Sequence, residues 1–128
     1  MKQPPKRPRK RPASPRLSSD LTAGIAAALE KKAVDVAVLD LRKASAFTDF
    51  FVICTGTNIR QVQAIAGAVQ ETLGRSGTKP ALVEGYERAE WVLIDYFDFI
   101  FHIFTPATRE FYALERLWGD AERIEVSA

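Results

Sequence analysis

A turn with a single glycine, between a predicted strand and a predicted helix, is the first segment whose residue types could support chemistry. Thr55-Gly56-Thr57-Asn58 precedes a helix N-terminus, where backbone N–H groups and the helix dipole favour anions. The segment lacks the Lys-Ser/Thr pair of a P-loop and the three glycines of a dinucleotide-binding fingerprint. A plain turn is therefore the favoured interpretation, and a phosphate site is the alternative.

Two carboxylates, Asp95 and Asp98, lie three positions apart between two predicted strands. A metal-dependent nucleotidyltransferase would instead place acidic residues one apart on a strand, shortly after a Gly-Ser or Gly-Thr turn. Here the first aspartate stands 39 residues beyond Gly56, and Mg²⁺ needs several hard oxygen ligands. We therefore expect the pair to shape the turn or to face a partner, and we expect no metal or cofactor.

The sequence contains one cysteine, Cys54, and one histidine, His102. Cys54 lies in an apolar strand-like run, where a thiol is usually an inert core residue. It has no second cysteine for an internal disulfide and no Cys/His cluster for zinc, which favours a reducing compartment. No recognisable motif connects His102 to a nucleophile, so we expect it to serve packing, with partner contact as the alternative. No catalytic activity is expected.

Charge divides the chain into a basic arm and a mildly acidic body. Residues 1–16 carry seven basic residues, five prolines and no acidic residue, whereas residues 17–128 carry 11 basic and 16 acidic residues. Prolines remove backbone donors and like charges repel, so residues 1–17 are predicted to be a disordered arm. Those prolines also oppose the amphipathic helix of a mitochondrial transit peptide. The longest apolar stretch, residues 91–104, is interrupted by charges and too short to span a membrane.

Hydrophobic periodicity predicts a single domain over residues 18–121 of the α/β (α+β) class, a mixed five-stranded sheet flanked by helices. The crossover through the second helix predicts parallel flanking strands, and the short links elsewhere predict antiparallel neighbours. Residues 122–128 are predicted to be a polar tail. The predicted helices are residues 21–32, 58–74 and a last helix from Pro106 to before Gly119, and the predicted strands are 36–41, 49–55, 81–86, 91–96 and 98–104.

Aromatic residues crowd into the predicted hairpin after residue 90 and into the last helix, where they could form core or interface. Alternation along the strand places Trp91, Leu93 and Asp95 on one side of the sheet, and one side of this strand is expected to be exposed. The buried side of the last helix is predicted to be Ala107, Phe111, Leu114 and Trp118.

Four separated segments together resemble the Iojap or ribosomal silencing factor family. Collinear segments over about residues 20–121 are far more specific than any single motif. The residues FTDFFVICTGTN (47–58) resemble the family's TDYFVIATGTS, and WVLIDY (91–96), preceded by Glu84-Gly85, resembles EG…WVLLDYGD. The residues HIF (102–104) resemble VHVF, and REFYALERLWGDA (109–121) resembles REYYXLEXLWXDA.

This resemblance implies a fold akin to nucleotidyltransferases but without their catalytic acids. It implies a cytoplasmic translational repressor that binds ribosomal protein fourteen of the large ribosomal subunit and sterically blocks the small subunit. A large-subunit assembly factor and a degenerate nucleotidyltransferase-like nucleotide-binding protein are the alternatives. The resemblance also implies a homodimer when the protein is free. No membrane partner is expected, because the longest apolar stretch is too short to span a bilayer.

The resemblance carries ribosomal-protein contact over to Trp91, Asp95 and Tyr96, with Asp98 and Arg109 as further candidates. Phe97 occupies the position of the family's usual glycine, where we expect either backbone strain or another turn type. The basic arm is not part of the family pattern. It could contact ribosomal RNA non-specifically by neutralising phosphates, or it could be a solvated tail.

Overall fold

The computed structural model describes residues 18–44 and 46–126, so the predicted basic arm lies outside the described residues. One mixed sheet of six strands runs through this part of the chain, in the order β3-β4-β5-β2-β1-β6. The helices are α1 (Ser19–Glu30), α2 (Ile59–Arg75), α3 (Pro106–Tyr112) and α4 (Leu114–Leu117). The strands are β1 (Val34–Asp40), β2 (Phe50–Thr55), β3 (Leu82–Glu84), β4 (Trp91–Asp95), β5 (Phe99–Phe104) and β6 (Glu122–Glu125).

Polar side chains cap the N-termini of the two long helices. The Ser18 hydroxyl accepts a hydrogen bond from the backbone N–H of Leu21 at 3.1 Å, and the Asn58 side chain accepts one from Gln61 at 2.8 Å. Each bond satisfies an N–H group that has no partner within its helix. The Gln61 amide also donates to the carbonyls of Lys31 and Lys32, so the start of α2 is joined to the end of α1.

The centre of the sheet is the parallel pair of β2 and β5, and every residue of both strands is buried. β2 lies within the predicted strand 49–55, and its continuous apolar run is typical of a strand covered on both faces. The strands that flank α2, β2 and β3, run in the same direction as predicted, but β5 and β4 lie between them. The short links give the predicted antiparallel pairs β1–β2, β3–β4 and β4–β5.

A sixth strand corrects the prediction of five strands and a polar tail after residue 121. Residues of β6 pair antiparallel with β1, from Asp40 opposite Glu122 to Ala37 opposite Glu125. Three of the four β6 residues are charged, which hides the strand from a search for apolar runs. An edge strand tolerates such residues, because they face water on its open side, while Ile124 packs against the core.

The predicted last helix is broken at Ala113, whose φ is 48° in the left-handed region. Because the break redirects the chain, the predicted buried stripe does not form. Ala107 and Phe111 are exposed, with Phe111 79% exposed, whereas Leu114 is buried and Trp118 is half-buried. The sequence offered no glycine or proline at position 113 to indicate the break.

The two faces of the sheet carry different layers. On the helix-covered face, α1 and α2 pack on the strands around residues such as Ile65, Val52 and Phe101. On the opposite face, α4 and the segment after β1 cover the strands only in part, around Phe51, Phe104 and Leu114. We call this second side the aromatic face.

Candidate partner-binding surface

The aromatic face is a connected series of rings that runs across β2, β5 and β4. Phe51 lies at its centre, with ring centroids 4.5 Å from His102 and 5.8 Å from Trp118. Trp91 continues the series, with its centroid 5.0 Å from Phe104 and 4.7 Å from Tyr112. These are ordinary spacings for tilted and edge-to-face aromatic pairs. The rings therefore hold one another in place, with Phe51, His102 and Phe104 buried beneath Trp91, Trp118 and Tyr112, which are partly or well exposed.

Trp91 is held by a partly buried hydrogen bond as well as by packing. Its indole N–H donates to Nδ1 of His102 at 3.0 Å. His102 must therefore carry its proton on Nε2, and that atom is buried without a hydrogen-bond partner among the described residues. Burial disfavours the charged imidazolium and lowers the pKa of His102 to about 4. The imidazole thus stays neutral at pH 7 and fixes the orientation of the Trp91 ring.

The start of β4 is placed by a close backbone approach. Gly85 has a φ of 83°, and a Cβ there would lie 2.1 Å from the carbonyl oxygen of Trp91. Only glycine fits such an approach at a positive φ. The backbone N–H of Thr105 donates to the carbonyl of Glu90 at 3.0 Å. These contacts fix Trp91 beside the end of β5 and the beginning of α3.

Large apolar side chains are exposed around the aromatic face. Phe47 is 76% exposed and still touches Phe51 edge-on, with centroids 6.4 Å apart. Phe111 packs edge-on against Tyr112 at 5.0 Å, and Leu117 is also exposed. A contiguous apolar surface of this kind commonly marks a protein–protein contact. The surface is therefore the strongest candidate for a binding site on the described part of the chain.

Asp95 and Asp98 shape the turn between β4 and β5. The Asp95 carboxylate accepts a hydrogen bond from the backbone N–H of Phe97 at 2.8 Å. The N–H of Asp98 donates to the carbonyl of Tyr96, and the carbonyl of Asp98 accepts from Phe50 at 3.2 Å. Asp95 also lies half-buried on the same side of β4 as Trp91. The turn-shaping role expected from the sequence is therefore present for Asp95.

Tyr96 lies on the other side of the sheet from Trp91 and Asp95. It is only 6% exposed and belongs to the helix-covered core, with its ring 5.2 Å from that of Phe99. Burial, together with the negative charge of Asp20, raises the pKa of Tyr96 to about 12. Its hydroxyl has no hydrogen-bond partner among the described residues.

Arg109 ties α3 to the ends of two strands. Its guanidinium donates to the carbonyl of Asp35 at 2.7 Å and to the hydroxyl of Thr55 at 2.8 Å. It also forms an ion pair with Glu115. Burial opposes ionisation of Glu115, but the hydrogen bond and charge of Arg109 outweigh it and lower the pKa of that carboxyl. Because the Arg109 side chain is 13% exposed, it presents little surface to a partner.

The five residues expected to bind a partner are therefore not brought into one cluster. Trp91 and Asp95 share the aromatic face, and Asp98 stands in the adjoining turn. Sequence reasoning did not select the exposed rings that flank them, which are Phe47, Phe111 and Tyr112.

The Gly56 turn serves packing between a strand and a helix. A Cβ on Gly56 would lie 2.8 Å from the backbone nitrogen of Val62, so the glycine permits a tight turn. The N–H of Thr57 already donates to the Gln61 side chain at 2.7 Å, and Asn58 caps the helix. Two of the N–H groups that a phosphate would use are thus occupied, which favours the plain turn.

The remaining chemical groups offer no catalytic arrangement in residues 18–44 and 46–126. Cys54 is fully buried, and burial raises the pKa of its thiol to about 12, so a reactive thiolate is disfavoured. No group of three or more His, Cys, Asp or Glu side chains in these residues could hold a metal ion. None of the helices described there is both long enough and apolar enough to cross a bilayer.

The fold and the surface define a class: an α/β protein with a mixed sheet, one face closed by helices and one face suited to protein contact. Residues 15–128 match the family described as "Ribosomal silencing factor during starvation". The chain belongs to this family of ribosomal silencing factors.

Named relatives come from bacteria and from organelles. The chain is 43% identical to "Ribosomal silencing factor RsfS" of Halalkalibacterium halodurans over 97 residues, covering 76% of this chain and 83% of the relative. It is 36% identical to "Protein Iojap, chloroplastic" of Zea mays over 78% of this chain and 43% of that protein. It is 29% identical to murine "Mitochondrial assembly of ribosomal large subunit protein 1" over 70% of this chain and 40% of that protein.

The fold is also similar to that of a solved protein from Chromobacterium violaceum. That crystal structure superposes with a TM-score of 0.78 at 32% identity, covering 88% of this chain and 94% of the other. The similarity extends over nearly the whole described domain, so the two proteins share a fold.

Proposed function

We propose that this chain is a non-catalytic silencing factor that binds the large ribosomal subunit through ribosomal protein fourteen and blocks the small subunit. The observation that carries the proposal is the aromatic face. There the Trp91 indole N–H donates to Nδ1 of His102 at 3.0 Å, and the Trp91 ring centroid lies 4.7 Å from that of Tyr112, beside exposed apolar side chains. Membership of the silencing-factor family supports a ribosomal partner. The proposed place of action is the cytoplasm.

The proposed mechanism is occlusion, and it needs no chemical step. A standard protein interface buries about 1,600 Å² in total, and a few central residues supply most of its binding energy. Trp91 suits that central role, because a ring already held in place loses little conformational freedom on binding. Once the factor is seated, its bulk overlaps the volume that the small subunit would occupy.

The five candidate residues take different parts in this proposal. Trp91 and Asp95 contact the ribosomal protein directly from the aromatic face, and Asp98 holds the adjoining turn. Tyr96 acts from the helix-covered core by supporting β4. Arg109 keeps α3 against β1 and β2, so that Tyr112 stays on Trp91.

Sedimentation of ribosomal subunits tests the proposal. Purified small and large subunits are mixed at an associating Mg²⁺ concentration, with and without the protein, and separated on a sucrose gradient. We expect the protein to co-migrate with the large subunit and the joined-ribosome peak to fall. Protein that stays at the top of the gradient while joining is unchanged would overturn the proposal.

Large-subunit assembly is a second candidate function, favoured by the printed name of the murine relative. An assembly factor would use the same surface and the same partner, but its loss would cause a different defect in the cell. Cells that lack the protein would accumulate immature large subunits during growth, whereas a factor that only silences would leave large-subunit maturation unchanged. Degenerate nucleotidyltransferase-like nucleotide binding has less support, because hydrogen bonds already occupy N–H groups at the Gly56 turn.

Two further parts of the proposal concern other contacts. The free protein forms a homodimer that covers apolar surface. Light scattering over a concentration series measures its molar mass in solution.

The basic arm adds non-specific contact with ribosomal RNA. Deletion of residues 1–16, which removes seven basic residues, is therefore expected to weaken large-subunit binding modestly and to lower its salt dependence. Complete loss of binding on deletion would place the main contact in the arm.

A further inference from the structure

Phe97, at the tip of the β4–β5 hairpin, combines two features that are unfavourable for the free protein. Its φ is 73°, in the left-handed region that bulky side chains rarely adopt. Its side chain is also 71% exposed to water. Neither the backbone conformation nor the exposed ring contributes stability to the isolated domain.

The strained backbone at Phe97 is held on both sides. The Asp95 carboxylate accepts from the Phe97 N–H at 2.8 Å, and the buried Thr48 hydroxyl donates to the Phe97 carbonyl at 2.7 Å. The backbone N–H and the backbone carbonyl of Phe97 are thus both fixed by side chains of other residues. The ring is therefore presented from a rigid support and not from a loose loop.

A second exposed ring stands on the neighbouring segment. Phe47 directly precedes Thr48, which is bonded to Phe97, and Phe47 in turn contacts Phe51 of the aromatic face. The hairpin tip is therefore continuous with the aromatic face through Thr48 and Phe47. Rigid, exposed aromatic rings at the margin of an apolar surface are typical of interface anchors.

We infer that Phe97 is an additional anchor of this chain for its ribosomal protein partner, inserted into an apolar pocket that is bordered by basic residues. The inference rests on the proposed function and names a residue outside the five candidates taken from the sequence. Charge identifies the kind of partner. Asp95 and Asp98 flank Phe97 at the hairpin tip, and residues 89–108 contain no lysine or arginine, so the tip complements a basic protein surface.

The same charge argues against a second copy of this chain at the hairpin tip. In a two-fold symmetric contact at the tip, each hairpin would meet its own copy, so like charges would lie opposite one another. A basic ribosomal protein meets no such repulsion. A homodimer that depends on Phe97 is therefore an opposing outcome of the test.

The experiment compares four full-length variants in titrations with purified large subunits. Phe97→Ala removes the ring and keeps a side chain at positive φ, whereas Phe97→Gly removes the ring and relieves the strain. Phe97→Tyr keeps an aromatic ring. Ile59→Ala, which truncates an exposed apolar residue at the start of α2, is the matched control for lost surface.

We expect Phe97→Ala and Phe97→Gly to bind large subunits at least tenfold more weakly, and Phe97→Tyr and Ile59→Ala to bind within threefold of the original protein. In urea denaturation, Phe97→Gly is expected to have a higher midpoint than Phe97→Ala. The glycine variant would then be the more stable of the two and an equally poor binder, which a folding defect cannot produce.

Failure of this inference is distinct from failure of the proposed function. Normal binding by the original protein, together with unchanged binding by both ring-deleted variants, would overturn the role of Phe97 and leave the proposed function standing. No large-subunit binding by the original protein would overturn both. Loss of self-association in Phe97→Ala, with large-subunit binding unchanged, would assign the ring to a homodimer instead.

Discussion

The two faces of the sheet use the same strands but differ in what covers them. On the helix-covered face, α1 and α2 bury aliphatic and aromatic side chains almost completely, as at Ile65 and Phe101. On the aromatic face, rings such as Trp91 and Tyr112 pack on one another and remain partly accessible. Both faces have a buried core, but only the aromatic face is bordered by exposed rings, which leaves that border available for recognition.

The largest expected effect is on the free energy of unfolding. One substitution on each face is compared, a buried ring on the helix-covered face and an exposed ring on the aromatic face. Phe101→Ala removes a fully buried ring and is expected to lower the free energy of unfolding by about 3–5 kcal/mol. Phe111→Ala removes an exposed ring from the aromatic face and is expected to change it by less than about 0.5 kcal/mol. Urea denaturation of both variants measures the difference, and equal losses would show that the faces contribute alike.

The next effect is on binding and concerns Trp91. Trp91→Ala is expected to weaken large-subunit binding by about 2 kcal/mol or more, because the ring is a fixed and half-buried anchor. Titration with purified large subunits gives the change in affinity, and far-UV circular dichroism checks that the variant is folded. A folded variant with unchanged affinity would remove Trp91 from the site.

The polar atoms beneath the aromatic face predict a dependence of stability on pH. Burial lowers the pKa of His102 to about 4 from an ordinary value of 6.5, so the unfolded chain binds more protons between those pH values. Stability is therefore full above about pH 6.5 and falls as the pH drops toward 4. The loss between pH 7 and pH 5 is about 2 kcal/mol, at roughly 1.4 kcal/mol per unit of pKa difference.

Denaturation at pH 7 and pH 5 measures this loss, with His102→Gln as the control that does not titrate. The glutamine variant is expected to show a much flatter dependence in this range. An equal slope in both proteins would assign the effect to other groups.

The smallest expected effect lies on the helix-covered face, at the one tyrosine of its core. The Tyr96 hydroxyl is buried without a hydrogen-bond partner in the described part of the chain. Tyr96→Phe is therefore expected to leave the free energy of unfolding unchanged or to raise it by up to about 1 kcal/mol. A clear loss of stability would show that the hydroxyl has a hydrogen-bond partner and that this polar contact stabilises the helix-covered face.

Elements with a strong local signal were predicted correctly from the sequence. The strand β2 and the helix α2 follow from apolar patterns that act within a few residues. β6 was missed because three of its four residues are charged and only pairing with β1 makes it a strand. The break at Ala113 was missed for a similar reason, since alanine carries no signal for positive φ.

The candidate site was predicted less completely than the fold. Alternation along β4 correctly placed Trp91 and Asp95 on one side, and the turn predicted a shaping role for Asp95. The exposure of Phe47 and Phe111 depends on which segments cover the sheet, and short-range patterns do not contain that information. The fixed orientation of the Trp91 ring depends on His102, eleven residues away, which only the strand register brings into contact.

The two outer strands also determine how this protein can associate. β6 presents Glu122, Arg123 and Glu125 on one border of the sheet, and β3 at the other border is only three residues long. Charged or very short borders are poor templates for adding another strand. The molecule can therefore display a broad apolar surface without polymerising through its backbone, and contacts made by side chains on the aromatic face remain the favoured mode of association.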